Sequence, residues 1–248
     1  KLGLIGSLLV FSIILYFLPK FSEQIKQLII TVSCLLIGVL FAVFGQIYQT
    51  GANAFDFFLA WSIFAFFWVL ISNFLPLWLL YFFLVNTTLY FLFKQVNLPV
   101  EDFVFFTFVV FLNSLPLLVS YIRIKYAKKE LPYWFLAPIT IANTVFISVI
   151  IGFIIIDSFN DFPYSWLAFI FGICYLAFQF FYAFQVKQVS YIALAAISVV
   201  ALFCMKIIVF IDSEESILII GIIILVSASI LIKTLINLNK KWHHETGV

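Results

Sequence analysis

The sequence predicts an all-α membrane protein, folded as a polytopic bundle of about nine transmembrane helices. Hydrophobic residues make up 66% of the 248 residues and charged residues 10%, whereas a soluble domain is about half apolar and a quarter charged. Apolar runs of about twenty residues recur along the chain, as membrane-spanning helices require. They lack the alternation of a membrane β-strand, and a helix satisfies its own backbone hydrogen bonds in lipid. We expect residues 1–248 to form a single integral membrane domain.

Nine apolar segments are long enough, or nearly so, to cross about 30 Å of hydrocarbon at about 1.5 Å per residue. Their connections are short, so successive helices are expected to be antiparallel neighbours. Pro76 falls where the first turn of a helix accepts proline. The predicted helices cover residues 2–18, 28–48, 54–72, 75–93, 102–121, 134–156, 164–186, 190–211 and 216–236.

The basic residues indicate an orientation. Cytoplasmic loops carry an excess of Lys and Arg, and one set of loops holds ten of the 13 such residues. This places the tail at about 237–248 in the cytoplasm and residue 1 outside. The chain starts at Lys1 rather than Met, so we expect one more helix upstream. The ten are Lys20, Lys26, Arg123, Lys125, Lys128, Lys129, Lys187, Lys233, Lys240 and Lys241.

A polar stretch, "FGQIYQTGANAFDFFLAW" at residues 44–61, interrupts the second and third apolar segments. Part of it fits the residues that end one helix and begin the next. Gly51 can take the left-handed conformation that ends a helix, and Asn53 is a favourable N-cap. Asp56 lies three residues on, where its carboxylate can reach back to the cap. These residues therefore predict a tight turn between two helices.

Gln46, Tyr48 and Gln49 lie in the last turn of the second predicted helix. An unpaired amide is costly in lipid, so these side chains are expected to face protein or water. One interpretation is a polar pocket on the outer side, with Asp56 as its acidic member. The other is hydrogen bonding between helices.

The same stretch resembles a bacterial membrane-protein family catalogued as domain-of-unknown-function family 2157. The resemblance covers about residues 28–95 in detail and implies a short cytoplasmic N-terminal region and one further helix before residue 1. It also implies a neighbouring membrane protein with a Gly-Asp-Tyr signature, and hence a hetero-complex. The matching positions are Gly45, Gln46, Ile47, Tyr48, Gly51, Asp56 and Trp61.

Amides recur inside three consecutive predicted helices. Asn86, Asn113 and Asn143 fall near the middle of the bilayer. They can converge on one cavity, or they can bond neighbouring helices at about 1 kcal/mol each. Both interpretations make them candidate site residues.

Ionisable groups within the predicted spans are few. Lys206 lies near the outer end of its helix, where it can snorkel or pair with Asp56 or Asp157 near the outer face. There is no chain of acidic or histidine residues at mid-membrane, which argues against a proton-coupled transporter. Cys34, Cys174 and Cys204 are expected to be buried apolar residues. No spacing predicts a metal site or a cofactor, and the net charge of +2 gives no case for nucleic acid.

The function that these features favour is a non-catalytic structural or assembly subunit of an inner-membrane complex. An enzyme is disfavoured, because no nucleophile, base or metal set is visible. The partners expected are membrane lipids, a second membrane protein or another copy of the chain. The alternative is a small-molecule or lipid transporter, or a channel-like protein, with an outer polar pocket.

Overall fold

A computed structural model describes residues 2–17, 21–48, 53–72, 74–96, 100, 102–157, 164–210 and 215–246. These residues form nine α-helices and no strand, which confirms the predicted all-α class. Eight of the helices are long and apolar enough to cross a membrane. The nine are α1 (Leu2–Phe17), α2 (Glu23–Tyr48), α3 (Ala54–Ser72), α4 (Leu75–Gln95), α5 (Asp102–Ala127), α6 (Tyr133–Asp157), α7 (Ser165–Val186), α8 (Val189–Phe210) and α9 (Glu215–Thr246).

The predicted segments and the helices differ mainly at their ends. α1 has 16 residues and spans about 24 Å, so it falls short of the other eight. α2 starts five residues earlier than predicted, α5 ends six later and α9 ends ten later. Hydropathy marks the part of a helix that lies in hydrocarbon, whereas Lys, Arg, Glu and Gln continue a helix readily in water. The residues predicted as a tail from 237 therefore continue α9 as helix.

The chain divides into two compact units, unit 1 at Lys1–Pro99 and unit 2 at Val100–Val248. Each unit is described by itself, and the single membrane domain stays a prediction. In unit 1 the helices pack in chain order, α1 on α2, α2 on α3 and α3 on α4. The core of unit 1 lies between α2, α3 and α4, and consists of Ile30, Cys34, Ala65, Val69, Leu77 and Leu84.

Trp61 joins α2 and α3 inside unit 1. Its indole Nε1 donates to the carbonyl oxygen of Cys34 at 2.9 Å. One turn further along α2, Gly38 lies directly beneath the ring, where an added Cβ would be 2.5 Å from two ring carbons. Glycine is required here because the ring occupies the place of a side chain.

Unit 2 is packed differently, because its helices also contact partners that are not adjacent in the chain. α5 contacts α6 and α7, while α8 contacts α6, α7 and α9. The most apolar stretch of α6 is half buried, the largest share of any span, and the corresponding stretch of α9 has no buried residue. Gly172 of α7 lets that helix approach α6, since a Cβ there would be 2.6 Å from Ile151. α6 is thus central in unit 2, and α9 lies at its periphery.

Two helices of unit 2 end in a lysine with a positive φ. Lys128 follows α5 with φ of 51°, and Lys187 caps α7 with φ of 57°. The amide of Gln188 then donates to Ala183 O at 3.1 Å, and that of Lys129 to Arg123 O at 3.4 Å. Glycine usually takes this left-handed position, which costs a residue with a Cβ about 1 kcal/mol or more. A cation there does complement the helix dipole.

We expect Gly38→Ala to lower the apparent melting temperature of the detergent-purified protein. The added methyl group would press on Trp61, which its hydrogen bond holds in place, and overpacking of this kind costs about 1–3 kcal/mol. Thermal unfolding followed by thiol exposure is a suitable measurement, because Cys34 is buried in the same core.

Gly6→Ala is the matched control. Nothing lies within 4 Å of a Cβ added at Gly6, so alanine there should leave stability unchanged or raise it through its better helix propensity. Equal melting temperatures for Gly38→Ala and Gly6→Ala would contradict the close contact between Gly38 and Trp61.

Candidate functional site

The turn between α2 and α3 contains the polar residues that the sequence singles out. α2 ends at Tyr48 and α3 begins at Ala54. The side chains of Gln46 and Tyr48, and the whole of Gln49, lie outside the described residues. The predicted outer pocket around them therefore stays a prediction.

Asn53 and Asp56 lie together at the start of α3. The backbone N–H of Asn53 donates to Asp56 Oδ2 at 3.2 Å, and the N–H of Phe57 donates to Asn53 O at 3.3 Å. The bond from Asn53 to Asp56 is the one that their spacing predicts, with the carboxylate reaching back to the N-cap residue. Both side chains are exposed. The carboxylate of Asp56 is thus engaged at the start of α3.

Gln95 completes this cap, and the sequence analysis missed it. The N–H of Phe55 donates to Gln95 Oε1 at 2.9 Å, across forty positions in sequence. The first N–H groups of a helix lack partners within the helix, so the last residue of α4 supplies one. A polar residue at the end of an apolar segment is a weak signal, and only the antiparallel contact of α3 and α4 gives it a partner.

Asn86 makes a bond within its own helix, whereas its neighbour joins two helices. Asn86 Nδ2 donates to Phe82 O at 2.8 Å. Thr88 Oγ1 lies 2.9 Å from Ser62 Oγ, and this buried pair links α3 to α4. The polar groups described here in unit 1 therefore act in helix structure and packing.

In unit 2, Asn143 is buried between α6 and α5. Its Nδ2 donates to Val110 O, at a long 3.4 Å. Its Oδ1 has no hydrogen-bond partner within the described part of the chain. Asn113 is half-buried on α5. Asn86 lies in the other unit, so a common cavity for the three asparagines stays a prediction.

Gln179 is the centre of the hydrogen bonding in unit 2. It is fully buried on α7. Thr144 Oγ1 of α6 lies 2.8 Å from Gln179 Oε1 and donates to it, a bond that competes with one to Thr140 O. Gln179 Nε2 donates to the carbonyl of Tyr191 on α8 at 3.0 Å. One amide thus joins three helices.

A second buried link lies where α5 and α7 end. The hydroxyls of Ser120 and Tyr182 are 2.8 Å apart, and Ser120 Oγ also accepts from the N–H of Leu131 at 3.2 Å. The Tyr182 ring meets the Tyr191 ring at a centroid distance of 5.7 Å, and Tyr133 meets Tyr191 at 5.7 Å. These contacts bring the ends of α5 and α7 together with the starts of α6 and α8.

The residues of this network carry a signal in the sequence. Tyr175, Gln179 and Tyr182 are spaced at i, i+4 and i+7, which places them on one face of a helix. All three are buried. Tyrosines in a membrane protein are commonly interpreted as interfacial residues, whereas these two are buried within the unit. The hydroxyl of Tyr191 and Oγ of Ser190 make no hydrogen bond within the described residues.

A groove of about 460 Å³ lies between α5 and α7, away from this network. Its one hydroxyl, on Thr107, donates to Phe103 O of its own helix at 2.6 Å. The groove is therefore suited to apolar chains and not to a polar cargo. It is lined by Val104, Thr107, Phe108, Phe111, Leu167, Ile170, Phe171 and Cys174.

The ion pair predicted for Lys206 stays a prediction. Lys206 is exposed on α8, and the side chain of Asp157, a predicted partner, lies outside the described residues. The ion pair that the structure describes is Lys26 with Glu23, at 2.9 Å in α2. No three His, Cys, Asp or Glu residues gather as a metal site among the described residues.

Comparison with known proteins gives one match. The family model for "Predicted membrane protein (DUF2157)" matches residues 1–78, a segment that contains the Gly-Gln-Ile-Tyr signature and α3. No curated protein and no solved structure matches the chain. The match confirms the family that the signature predicts, over the part of the chain that it covers. With eight helices apolar enough to cross a membrane, the chain is a multi-pass membrane protein whose residues 1–78 match domain-of-unknown-function family 2157.

Proposed function

We propose that this protein is a non-catalytic subunit of a membrane complex and that α9 contacts its partner. The observation that carries the proposal is the exposure of α9. Its span, Ile217–Trp242, has no buried residue in its most apolar window, whereas the other spans are 17–50% buried. α9 contacts α8 along one side. The opposite side is available to lipid or to another helix.

Two polar residues lie on that opposite side. Ile223, Ser227 and Leu231 are half-buried and mark the face toward α8. Ser229 and Lys233 are exposed and four residues apart, which places them together on the other face. A cation on a lipid-facing helix is costly unless it snorkels or finds a partner. A neighbouring transmembrane helix with an acidic or carbonyl acceptor would satisfy it.

We further propose the inner membrane as the location, with the C-terminus in the cytoplasm. What supports this is the concentration of Lys and Arg at the ends of α5, α7 and α9, as the positive-inside rule expects of cytoplasmic ends. The partner is either the Gly-Asp-Tyr membrane protein that the family resemblance implies or a second copy of this chain.

The second candidate function is transport of a small polar molecule or lipid through unit 2. The observation that favours it is that two buried atoms, Asn143 Oδ1 and the hydroxyl oxygen of Tyr191, have no hydrogen-bond partner among the residues that the structure describes. A passage would need such groups to face water. The bonds of Gln179 and Ser120 support the first candidate, because both join helices.

A cysteine at position 229 is expected to crosslink to a partner helix, because the side chain points away from α8. The experiment uses a Cys174→Ala background, since Cys174 is the exposed native thiol. Membranes expressing Ser229→Cys are treated with a short bifunctional thiol reagent. The products are identified by mass spectrometry as a second protein or a second copy.

Ser227→Cys is the matched control, two residues away on the half-buried face toward α8. It should give no intermolecular product. A monomer for both variants, at native expression, would contradict assembly through α9. An equal yield from both would show random collision in the membrane.

Gln179→Leu separates packing from transport. If the amide serves to join α6, α7 and α8, its loss should lower stability by about 1–2 kcal/mol, from two interhelical bonds. The measurement is the melting temperature in detergent. Gln185→Leu on the same helix is the control, because Gln185 is exposed and its loss should cost little.

The accessibility of position 179 to a water-soluble thiol reagent distinguishes transport from packing. If position 179 lines a water-filled passage, Gln179→Cys in the Cys174→Ala background should react with a charged methanethiosulfonate reagent in intact membranes. Reaction there, with stability unchanged in Gln179→Leu, would favour transport over the subunit role.

A further inference from the structure

One polar atom deep inside unit 2 has no hydrogen-bond partner among the described residues. This atom is Asn143 Oδ1, on a side chain that is only 2% exposed. Asn143 lies about 15 Å from the start of α6 and about 21 Å from its end, at about 1.5 Å per residue. At this depth neither headgroups nor bulk water reach the atom, so its partner must be enclosed by the helices.

The orientation of the Asn143 amide is set by α5. Nδ2 of Asn143 donates to Val110 O at 3.4 Å. If the amide were turned over, two carbonyl oxygens would face each other, and neither can donate. Oδ1 of Asn143 therefore keeps its position, and its lone pairs require a donor from elsewhere.

Two hydroxyl groups lie close to this amide. The hydroxyl of Tyr175 on α7 is beside the side chains of Asn143 and Thr144, and Tyr175 is buried. Thr144 Oγ1 donates its hydrogen either to Gln179 Oε1 at 2.8 Å or to Thr140 O at 2.7 Å. A hydroxyl has one hydrogen and two lone pairs. Thr144 thus has no hydrogen left for Asn143, although its oxygen can still accept one.

The polar groups around Asn143 therefore lack donors and have acceptors to spare. A water molecule supplies two hydrogens and can also accept, and a buried water typically makes about three hydrogen bonds to groups of this kind. An ion is a poor match, because Asn143, Thr144 and Tyr175 are neutral and a charge inside the membrane is costly. The chemistry of the site thus selects water as its ligand.

We propose that one water molecule is bound between α6 and α7 beside Asn143. The water donates to Asn143 Oδ1 and to Thr144 Oγ1, and it accepts from the hydroxyl of Tyr175. Tyr175 lies one turn before Gln179 on α7, so the water extends the link that Gln179 makes between these helices. The water is an enclosed part of the fold and not a segment of an aqueous passage.

The test is water-edited solid-state NMR of the full chain in lipid bilayers, with ¹⁵N in the asparagine side chains. We expect magnetisation to pass from water to the Asn143 amide, whose signal is identified by its loss in Asn143→Leu. Tyr175→Phe removes one hydroxyl and keeps the ring, so it should reduce this transfer severalfold.

Tyr182→Phe is the matched control on the same helix. Its hydroxyl is bonded to Ser120, about two turns from Tyr175. The change should therefore disturb the end of unit 2 and leave the transfer from water to Asn143 unchanged.

A second measurement separates an enclosed water from a passage. Asn143→Cys in the Cys174→Ala background should not react with a charged methanethiosulfonate reagent in intact membranes, because one enclosed water gives the reagent no path. Tyr126→Cys is the positive control, since Tyr126 is 77% exposed near the end of α5.

An Asn143 amide that receives no magnetisation from water would overturn the proposal. Equal transfer in Tyr175→Phe would overturn the placement of the water beside Tyr175. A loss of transfer in Tyr182→Phe as large as that in Tyr175→Phe would show a general loosening of unit 2 instead of a defined site. Reaction of Asn143→Cys would show a continuous aqueous path in place of a single enclosed water.

Discussion

The amide of Gln179 joins α6, α7 and α8 inside unit 2, and it illustrates the constraint under which the whole chain folds. A polar group buried among apolar helices must find its partner within the protein. Gln179 uses both ends of its amide, one on Thr144 and one on the carbonyl of Tyr191. A hydroxyl can return to its own helix, as Thr88 does while also meeting Ser62. Neighbouring helices are therefore joined at the polar residues of otherwise apolar segments.

The two units meet this constraint in different ways. Unit 1 relies on close apolar packing, with Trp61 over Gly38 and a buried hydroxyl pair between α3 and α4. Unit 2 relies on a buried network that gathers at one end, and α9 lies outside it. The charged residues of unit 2 concentrate where that network reaches the interface.

Much of the fold follows from the sequence because hydropathy and length are direct measures of what a bilayer accepts. α3 begins and ends where the apolar segment does, and Asn53 with Asp56 forms the cap that their spacing predicts. The predicted C-terminal ends of α5 and α9 were wrong, since a helix continues into water on favourable residues such as Lys and Arg. Gln95 could not be found from its own position. Its partner, Phe55, lies forty residues away and becomes a neighbour only in the folded hairpin.

The sequence indicates less about the contacts of the site residues than about the positions of the helices. A buried asparagine indicates a need for a partner but not the partner's identity, and Asn86 turned to its own backbone while Asn143 reached Val110. The spacing of Tyr175, Gln179 and Tyr182 places them on one face of α7, which is not evident when each residue is considered alone. In unit 2, the residues that share one face of a helix predict the buried network better than residue type does.

The order of helix contacts has a consequence for how the chain is made. In unit 1 each helix contacts the one synthesised just before it, so each pair can form soon after it leaves the ribosome and enters the membrane. In unit 2, α5 also contacts α7 and α6 also contacts α8. Each of these pairs can form only after the later helix has been synthesised. The amide of Gln179 therefore remains without its acceptor on α8 until that helix has been inserted. Until α8 is in place, the insertion machinery or water within the membrane must supply a hydrogen-bond partner for this amide, which is buried in the folded protein.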